Sequence, residues 1–350
     1  MSGDGATGKA PAVARVAVVA SPWYCRLMGT VARPAPEGGA LIALDWGTTM
    51  LRAFLVDAAG VVSAERAEPW GIMQVAHRDF AGACRDITIQ WSTATELPII
   101  ASGMIGSANG WMDAPYRPTP AGAEELASAL VQVAGTKLHI IPGVSQQHGS
   151  VDVMRGEETQ AIGALSLVPS LGDGALLVFP GTHSKWVRIR DHRIVSFSTY
   201  MTGELYGVLR THSILGRLAD GTTHVLSTDE GDAAFALGVT TARDSTRGTE
   251  ALLFSARARV LLGNLRAAAS LDYLSGLIIG GELRDALGDA MAPDALVGDA
   301  ALCARYMAAL ALFGIPDVPR IDRAAPTGMW QIAHAAGLIA RPAAFTEPIA

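Results

Sequence analysis

Two short stretches combine side chains that can hold phosphate. In the first, Asp45-Trp46-Gly47-Thr48-Thr49, an apolar run ends in an acid, a glycine and two hydroxyls. A phosphate site needs backbone N–H donors, room for close approach and often a hydroxyl. Gly47 supplies the room, and Thr48 and Thr49 supply amides and hydroxyls. Asp45 repels phosphate itself but can hold Mg2+, usually through water. Asp and Gly are equally at home in a plain β-turn, so this loop taken alone reads either way. In the second stretch, Gly181-Thr182-His183-Ser184-Lys185, the same ingredients recur with a cation that can neutralise a terminal phosphate as a point charge. Singly, Lys185 is a solvated lysine opening a strand and His183 a packing histidine; two such loops at matching places favour phosphate binding. A third feature, Ile278-Ile279-Gly280-Gly281-Glu282, reads as a strand ending in two glycines, with a helix starting at Glu282. Paired glycines let a flat ligand such as a nucleoside lie against backbone, and a plain strand-to-helix turn looks the same. This is not the Gly-x-Gly-x-x-Gly of a dinucleotide fold, and no Gly-x-x-x-x-Gly-Lys-Thr loop occurs.

The elements that must position these loops alternate between strand and helix. Leu41 to Leu44 reads as a buried strand, followed by a hairpin of 52–56 and 61–65 around Asp57-Ala58-Ala59-Gly60. Short buried strands are predicted at 97–101 and 138–141. Between them Thr119-Pro120 opens a helix that Gly135 closes. Gly156 precedes a helix that stops at Pro169. The opening pattern then returns: strand 175–179, the loop 180–185, and a hairpin around Asp191-His192. Helices follow from Glu204, Glu230 and Glu250, then the strand 276–281, the helix from Glu282, another over 299–313, and a last one after Pro326 to about 340. A strand, a Gly-Thr loop and a hairpin thus occur once in each half, a structural repeat with little sequence identity. It predicts two similar α/β domains with a cleft between them.

The totals bound the partners. The 350 residues carry 27 Lys and Arg against 33 Asp and Glu, a net charge of −6, which gives no nucleic-acid footprint. Half of the residues are hydrophobic, ample for packed cores, yet the longest apolar runs fall far short of a membrane span. Cys25, Cys84 and Cys303 are isolated, which argues against zinc or a disulfide framework and for reduced thiols in the cytoplasm. Residues 1–39, rich in Gly, Ala, Pro and Arg, read as a disordered extension or as the product of a start upstream of one near Met28. Exposed apolar helix faces allow a homodimer.

The trio of Asp-x-Gly-Thr-Thr hairpin, second phosphate hairpin and late Gly-Gly turn resembles the actin-like ATPase and sugar-kinase superfamily. More narrowly, "LDWGTTMLRAFLVD", "ASGMIGSANGWMDAPY", "VMRGEETQAIGAL", "PGTHSKWV" and "MTGELYGVLRTHSILGR" resemble the 2-dehydro-3-deoxygalactonokinase family over roughly residues 40–345. The resemblance implies an α/β fold of two actin-like (ribonuclease H-like) domains, with mixed sheets flanked by helices and the active-site cleft between them. The sugar-side domain would comprise 40–173 plus 327–345 and the nucleotide-side domain 174–326. It implies ATP-dependent phosphorylation, with Mg2+, of the 6-hydroxyl of 2-dehydro-3-deoxy-D-galactonate in galactonate breakdown. One departure stands out: superfamily members usually open the second phosphate loop with an acid, and here Pro180 occupies that place.

On that basis the residues take roles. Phosphoryl transfer needs positioned phosphates, a metal and an acid that orients or deprotonates the attacking hydroxyl. Asp45 is the metal-side acid; Gly47, Thr48, Thr49, Gly181, Thr182, His183, Ser184, Lys185, Gly280, Gly281 and Glu282 are the ATP and phosphate residues. Superfamily sugar kinases place the base at the start of a helix that maps here to Glu158 or Glu157, with Asp152 behind them. A carboxylate is favoured at a helix N-terminus even without catalysis, so the three stand as a group. Arg155 beside them pairs either with the substrate carboxylate or with Glu157 or Glu158. The Gly-, Ser- and Asn-rich stretch 102–111 suits a loop around a small polar ligand, which makes Ser102, Gly103, Ser107, Asn109 and Trp111 substrate candidates; Gly71, with Trp70, Ile72 and Tyr116, completes the pocket by resemblance. Arg52 reads as a phosphate contact or a surface residue. Two other readings stay open, a kinase for a different sugar or keto-sugar acid and a nucleotide-binding regulator of the same fold.

Overall fold

The computed structural model describes residues 39–91, 97–218, 228–288 and 292–340. The expected extension therefore lies, except for Gly39, outside the described residues. In chain order the elements are β1 (Gly39–Trp46), β2 (Leu51–Asp57), β3 (Val62–Glu68), α1 (Phe80–Thr88), β4 (Ile99–Ser102), β5 (Tyr116–Pro118), α2 (Ala123–Ala127), β6 (Val131–Gln132), β7 (Leu138–Ile140), β8 (Gly143–Gln146), β9 (Asp152–Met154) and α3 (Glu157–Leu167). The second half continues with β10 (Ala175–Phe179), β11 (Ser184–Arg190), β12 (Arg193–Tyr200), α4 (Thr202–His212), α5 (Thr228–Arg243), α6 (Thr249–Leu252), α7 (Ser255–Leu261), α8 (Ser270–Gly288), β13 (Ala295–Val297), α9 (Ala300–Leu312), β14 (Arg320–Ile321) and α10 (Ala324–Ala335).

The repeat read from the two Gly-Thr loops is present in the strand order. One sheet runs β3-β2-β1-β4-β7-β6 and the other β12-β11-β10-β13-β14. In each, the first three strands of its half form an antiparallel meander, the first strand pairs in parallel with one further strand (β4 or β13), and that strand pairs in parallel with the next (β7 or β14). The two faces of each first strand are both buried, because side chains alternate across a sheet. On β1, Leu41 and Ala43 enter one core while Ile42, Leu44 and Trp46 enter another. On β10, Leu177 and Phe179 share the core of Leu41, whereas Leu176 and Val178 face α5, α8 and α9. The shared core also holds Ala161, Ala164 and Leu165 of α3 and Met329, Trp330 and Ile332 of α10. Helices α3 and α10 are therefore packed between the two sheets.

Those two helices meet backbone to backbone. A Cβ on Gly163 would sit 1.8 Å from the Ala324 carbonyl oxygen, and one on Gly328 would sit 1.8 Å from that of Thr159. Only glycine allows this approach, and it sets where the first turn of α3 lies.

Two expectations fail. The strand at 276–281 is the middle of the 19-residue helix α8, and no helix begins at Glu282. A continuous apolar run does not separate a buried strand from a buried helix by periodicity. Its glycines serve close helix packing instead: Cβ atoms on Gly276 and Gly280 would fall 2.1 Å from Phe235 O and 2.9 Å from the Val239 backbone, both on α5. The helix expected from Thr119-Pro120 to Gly135 shrinks to α2. Ala121 exchanges two backbone hydrogen bonds with Ile194 of β12, which holds the chain extended until Gly122, whose N–H the Glu125 carboxylate caps.

The helix crossing yields a stability test. Gly163→Val should destabilise the fold by about 2 kcal/mol or more through forced separation of α3 and α10. Gly207→Ala in α4, where a Cβ meets nothing within 4 Å, should be neutral or mildly stabilising. Urea unfolding of both variants checks the pair; similar midpoints would refute the crossing argument.

Candidate active site at the first turn of α3

The C-terminal ends of β1 and β4 and the N-terminus of α3 converge on one point. Asp45 of β1 lies beside Ser102 of β4 in parallel register. Gly103 follows with φ 95°, so close to β1 that a Cβ would lie 2.9 Å from Trp46 O. Gly156, with φ 114°, brings the start of α3 to 3.5 Å from the Gly103 Cα on the same measure. Both positions demand glycine because the left-handed region penalises a side chain.

Three carboxylates that are alternative candidates for one role are given different partners here. Asp152 Oδ1 accepts from Thr199 Oγ of β12 at 2.8 Å and from its neighbour's N–H, Val153, at 2.8 Å. Glu157 lies 3.9 Å from Lys185 Nζ of β11, a lysine whose side chain is 5% exposed. Burial raises the Glu157 pKa, opposed first by the Lys185 charge. Lys185 and Thr199 are register neighbours on the β11–β12 ladder, so one hairpin of the second half holds both acids. Glu158 is fully buried and has no cation partner: Gly156 N–H donates to Oε2 at 2.7 Å and Thr159 Oγ donates to Oε1 at 3.1 Å. Burial, with the Glu157 charge second, pushes its pKa from 4.5 up to about 8. Thr159, which the sequence reading did not single out, in turn accepts from Ser102 Oγ at 2.7 Å. Its position directly after the Glu157-Glu158 pair was the available signal. Ser102 is 2% exposed, so its hydroxyl is committed to this chain of hydrogen bonds.

The loops around this turn are held from behind. Gly47 N–H closes the first loop on Met50 O at 2.9 Å. Thr48 is exposed and Thr49 half-buried. Gly71 lies against the backbone of Thr48 and Thr49, where a Cβ would come within 2.2 Å, so it shapes that loop from the back. Trp46 is buried, donates to Trp70 O at 2.8 Å, and packs edge-on against Phe80 and Trp111. Trp111 is thus a member of an aromatic cluster. Arg52 sits 3.7 Å from Asp45, whose side chain keeps 23% exposure. Burial raises the Asp45 pKa and Arg52 opposes it. Ser107 bonds Met104 O at 2.7 Å, and Asn109 is exposed.

In the second loop Gly181, Thr182 and His183 stay accessible, and His183 Nε2 meets Glu204 of α4 at 2.5 Å. Ser184 points the other way. It is fully buried, and its hydroxyl lies 2.7 Å from Tyr306 OH. Tyr306 donates to Glu282 at 2.6 Å, as do Trp186 Nε1 at 2.8 Å and Thr202 Oγ. Glu282, expected at a nucleotide turn, is the centre of a buried polar network behind the loop, and burial raises its pKa. Gly280 and Gly281 belong to the same buried helix, so the turn proposed for the nucleoside is absent.

Of the two pairings that the residues alone left open for Arg155, the ion pair with Glu157 or Glu158 is not formed. Its guanidinium pairs with no carboxylate side chain: Nη2 donates to Ala114 O at 2.8 Å and the group stacks on Tyr116 at 4.4 Å. Its Nε and Nη1 are buried without a hydrogen-bond partner. Among the described residues no group of three or more His, Cys, Asp or Glu forms a metal cluster, and no helix is long and apolar enough to cross a membrane. Magnesium in phosphate sites needs only one or two protein carboxylates, which Asp45 fits.

Two repeated sheets of this topology, with α3 and α10 in the core they share, define the actin-like ATPase and sugar-kinase fold. A crystal structure of a 2-dehydro-3-deoxygalactonokinase protein from Sinorhizobium meliloti matches with a TM-score of 0.76 and 35% identity, over 84% of this chain and 98% of that one. Among curated proteins, the 2-dehydro-3-deoxygalactonokinase of Escherichia coli (strain K12) is 37% identical over 300 residues, 84% of this chain and 97% of its own length. A Rhizobium meliloti (strain 1021) protein carrying the same enzyme name is 38% identical over 284 residues, 79% of this chain and 90% of its own. The profile of the 2-keto-3-deoxy-galactonokinase family matches residues 45–332. The chain belongs to the 2-keto-3-deoxy-galactonokinase family.

The Glu158 environment makes a pH prediction. The folded protein holds a proton on Glu158 between pH 4.5 and about 8 that the unfolded chain has already released. Its contribution to stability is full below pH 4.5 and is lost as pH rises through about 8. Glu158→Gln removes this dependence. Urea unfolding at pH 5 and pH 8 should therefore show wild type losing stability relative to the variant as pH rises; a constant difference would contradict the burial argument.

Proposed function

We propose that this chain is an ATP-dependent kinase that phosphorylates the 6-hydroxyl of 2-dehydro-3-deoxy-D-galactonate, giving 2-dehydro-3-deoxy-6-phosphogalactonate in galactonate catabolism. The observation that carries the residue assignment is Glu158, a fully buried carboxylate without a cation, locked by two donors where β1, β4 and α3 meet. A general base works best with a pKa near the working pH, and the surroundings of Glu158 move it there. Glu158 accepts the proton of the attacking hydroxyl. Glu157 and Asp152 are the supporting acids that tie α3 and β9 to the hairpin of the second half.

The amides and hydroxyls of Thr48, Thr49 and Thr182, with the room left by Gly47 and Gly181, hold phosphate, and Lys185 supplies the positive charge behind them. Asp45 would hold Mg2+ through water, and the ion would neutralise charge on the transferring phosphoryl group. Arg155 receives the substrate carboxylate. A buried guanidinium with two unpaired N–H groups is costly, and an anion relieves that cost. The sugar-side domain comprises 40–173 plus 327–345 and the nucleotide-side domain 174–326, closing on the ligands from either side. The enzyme is cytoplasmic; a homodimer through exposed apolar residues such as Leu205 and Val208 of α4 belongs to the same reading.

A coupled ATP assay over a panel of sugar acids tests the substrate: turnover with another acid and none with this one overturns it. Glu158→Gln should lower kcat by about 10²-fold or more, while Arg155→Ala should raise KM for the sugar acid about ten-fold. Full turnover in Glu158→Gln would transfer the base to Glu157 or Asp152.

A further inference from the structure

Segment 70–80 touches both ligand loops. At one end Ile72 N–H donates to Gly47 O at 3.0 Å and Met73 N–H to Thr48 O at 3.4 Å, so the segment backs the first phosphate loop. At the other end Arg78 reaches across more than thirty residues of sequence to the 102–111 loop. Its Nη1 donates to Asn109 O at 3.0 Å and its Nη2 to Gly110 O at 2.8 Å. The two nitrogens of one rigid fork thus hold two consecutive carbonyls, which a lysine ammonium on a flexible stem cannot reproduce.

The backbone is bent to place this fork. His77 and Arg78 both adopt left-handed φ values, 54° and 58°, which side chains other than glycine avoid. Such strain persists only where surrounding contacts hold it, and here the contacts are visible. The Arg78 guanidinium lies 5.3 Å from the Phe80 ring; Phe80 stacks on Trp111 at 6.3 Å; both pack against Trp46, the residue after Asp45. Arg155 holds the same stretch further on, at Ala114 O.

We propose that Arg78 is a positioning residue for sugar-acid binding, fixing the 102–111 loop against the first phosphate loop through segment 70–80. This rests on the reading of 102–111 as the substrate loop. Loss of the fork frees the carbonyls of Asn109 and Gly110 and loosens the loop. ATP contacts, which come from the loop backbones around 47–49 and 181–183, are left in place.

Steady-state kinetics with 2-dehydro-3-deoxy-D-galactonate and ATP tests this, with Asn109→Ala as the direct probe of the loop. Arg78→Ala should raise KM for the sugar acid about ten-fold, with KM for ATP and the thermal midpoint close to wild type. Arg78→Lys should behave like Arg78→Ala, because it keeps the charge and loses the fork. An unchanged sugar-acid KM in Arg78→Ala, an equal rise in both KM values, or full rescue by Arg78→Lys would overturn the proposal. If Asn109→Ala raises the sugar-acid KM while Arg78→Ala does not, the loop reading stands and the clamp falls. If neither variant changes it, both fall.

Discussion

Two adjacent carboxylates, Glu158 buried and Glu157 half-buried, sit on the first turn of α3, and much of the molecule is arranged around the electrostatic cost of putting them there. Neighbouring like charges removed from water raise each other's pKa, so the pair persists only with compensation. The structure divides the compensation unequally. Glu157 receives a buried lysine from the opposite half, and Glu158 receives hydrogen bonds alone. The first stays beside a cation, while the second has its pKa pushed up to about 8. A difference in partners thus separates two residues that are identical and adjacent in sequence.

That turn can sit where it does because of what surrounds it. The Gly163 and Gly328 crossing draws α3 against α10, and both helices fill the layer between the two sheets. Gly103 and Gly156 let the ends of β1, β4 and α3 approach more closely than side chains would permit. The hairpin β11–β12 then supplies Lys185 and Thr199 from the other sheet. The repeat therefore does more than duplicate a Gly-Thr loop. It places one meander so that residues of its hairpin reach the acids carried by the other half.

A second buried carboxylate, Glu282, shows a different solution to the same problem. Trp186, Tyr306 and Thr202 each donate to it, and Ser184 extends the network to the Gly181 loop. A buried polar network of this kind rigidifies when its members are satisfied. Its place behind the loop gives Gly181–His183 a firm base while those residues remain exposed. Ser184 and Glu282 thereby act from beneath the loop, and the hydroxyl expected to meet phosphate belongs to the core.

Local pattern was enough to reveal the two strand-loop-hairpin units, the helix starting after Gly156 and the cluster Asp152–Glu158, because alternation, turn residues and helix caps are short-range signals. The Asp45 and Lys185 loops were legible for the same reason. Local pattern misread 276–281, where the all-round burial of α8 erases the periodicity that separates helix from strand. It also could not tell which partners Asp152, Glu157 and Glu158 would meet, or whether Arg155 would pair with a carboxylate of its own chain. Those outcomes depend on Thr199, Lys185, Ser102 and Ala114, which lie roughly 30 to 60 residues away in the chain. Desolvation and partner choice arise only when distant segments pack together, and that is what the tertiary structure decided.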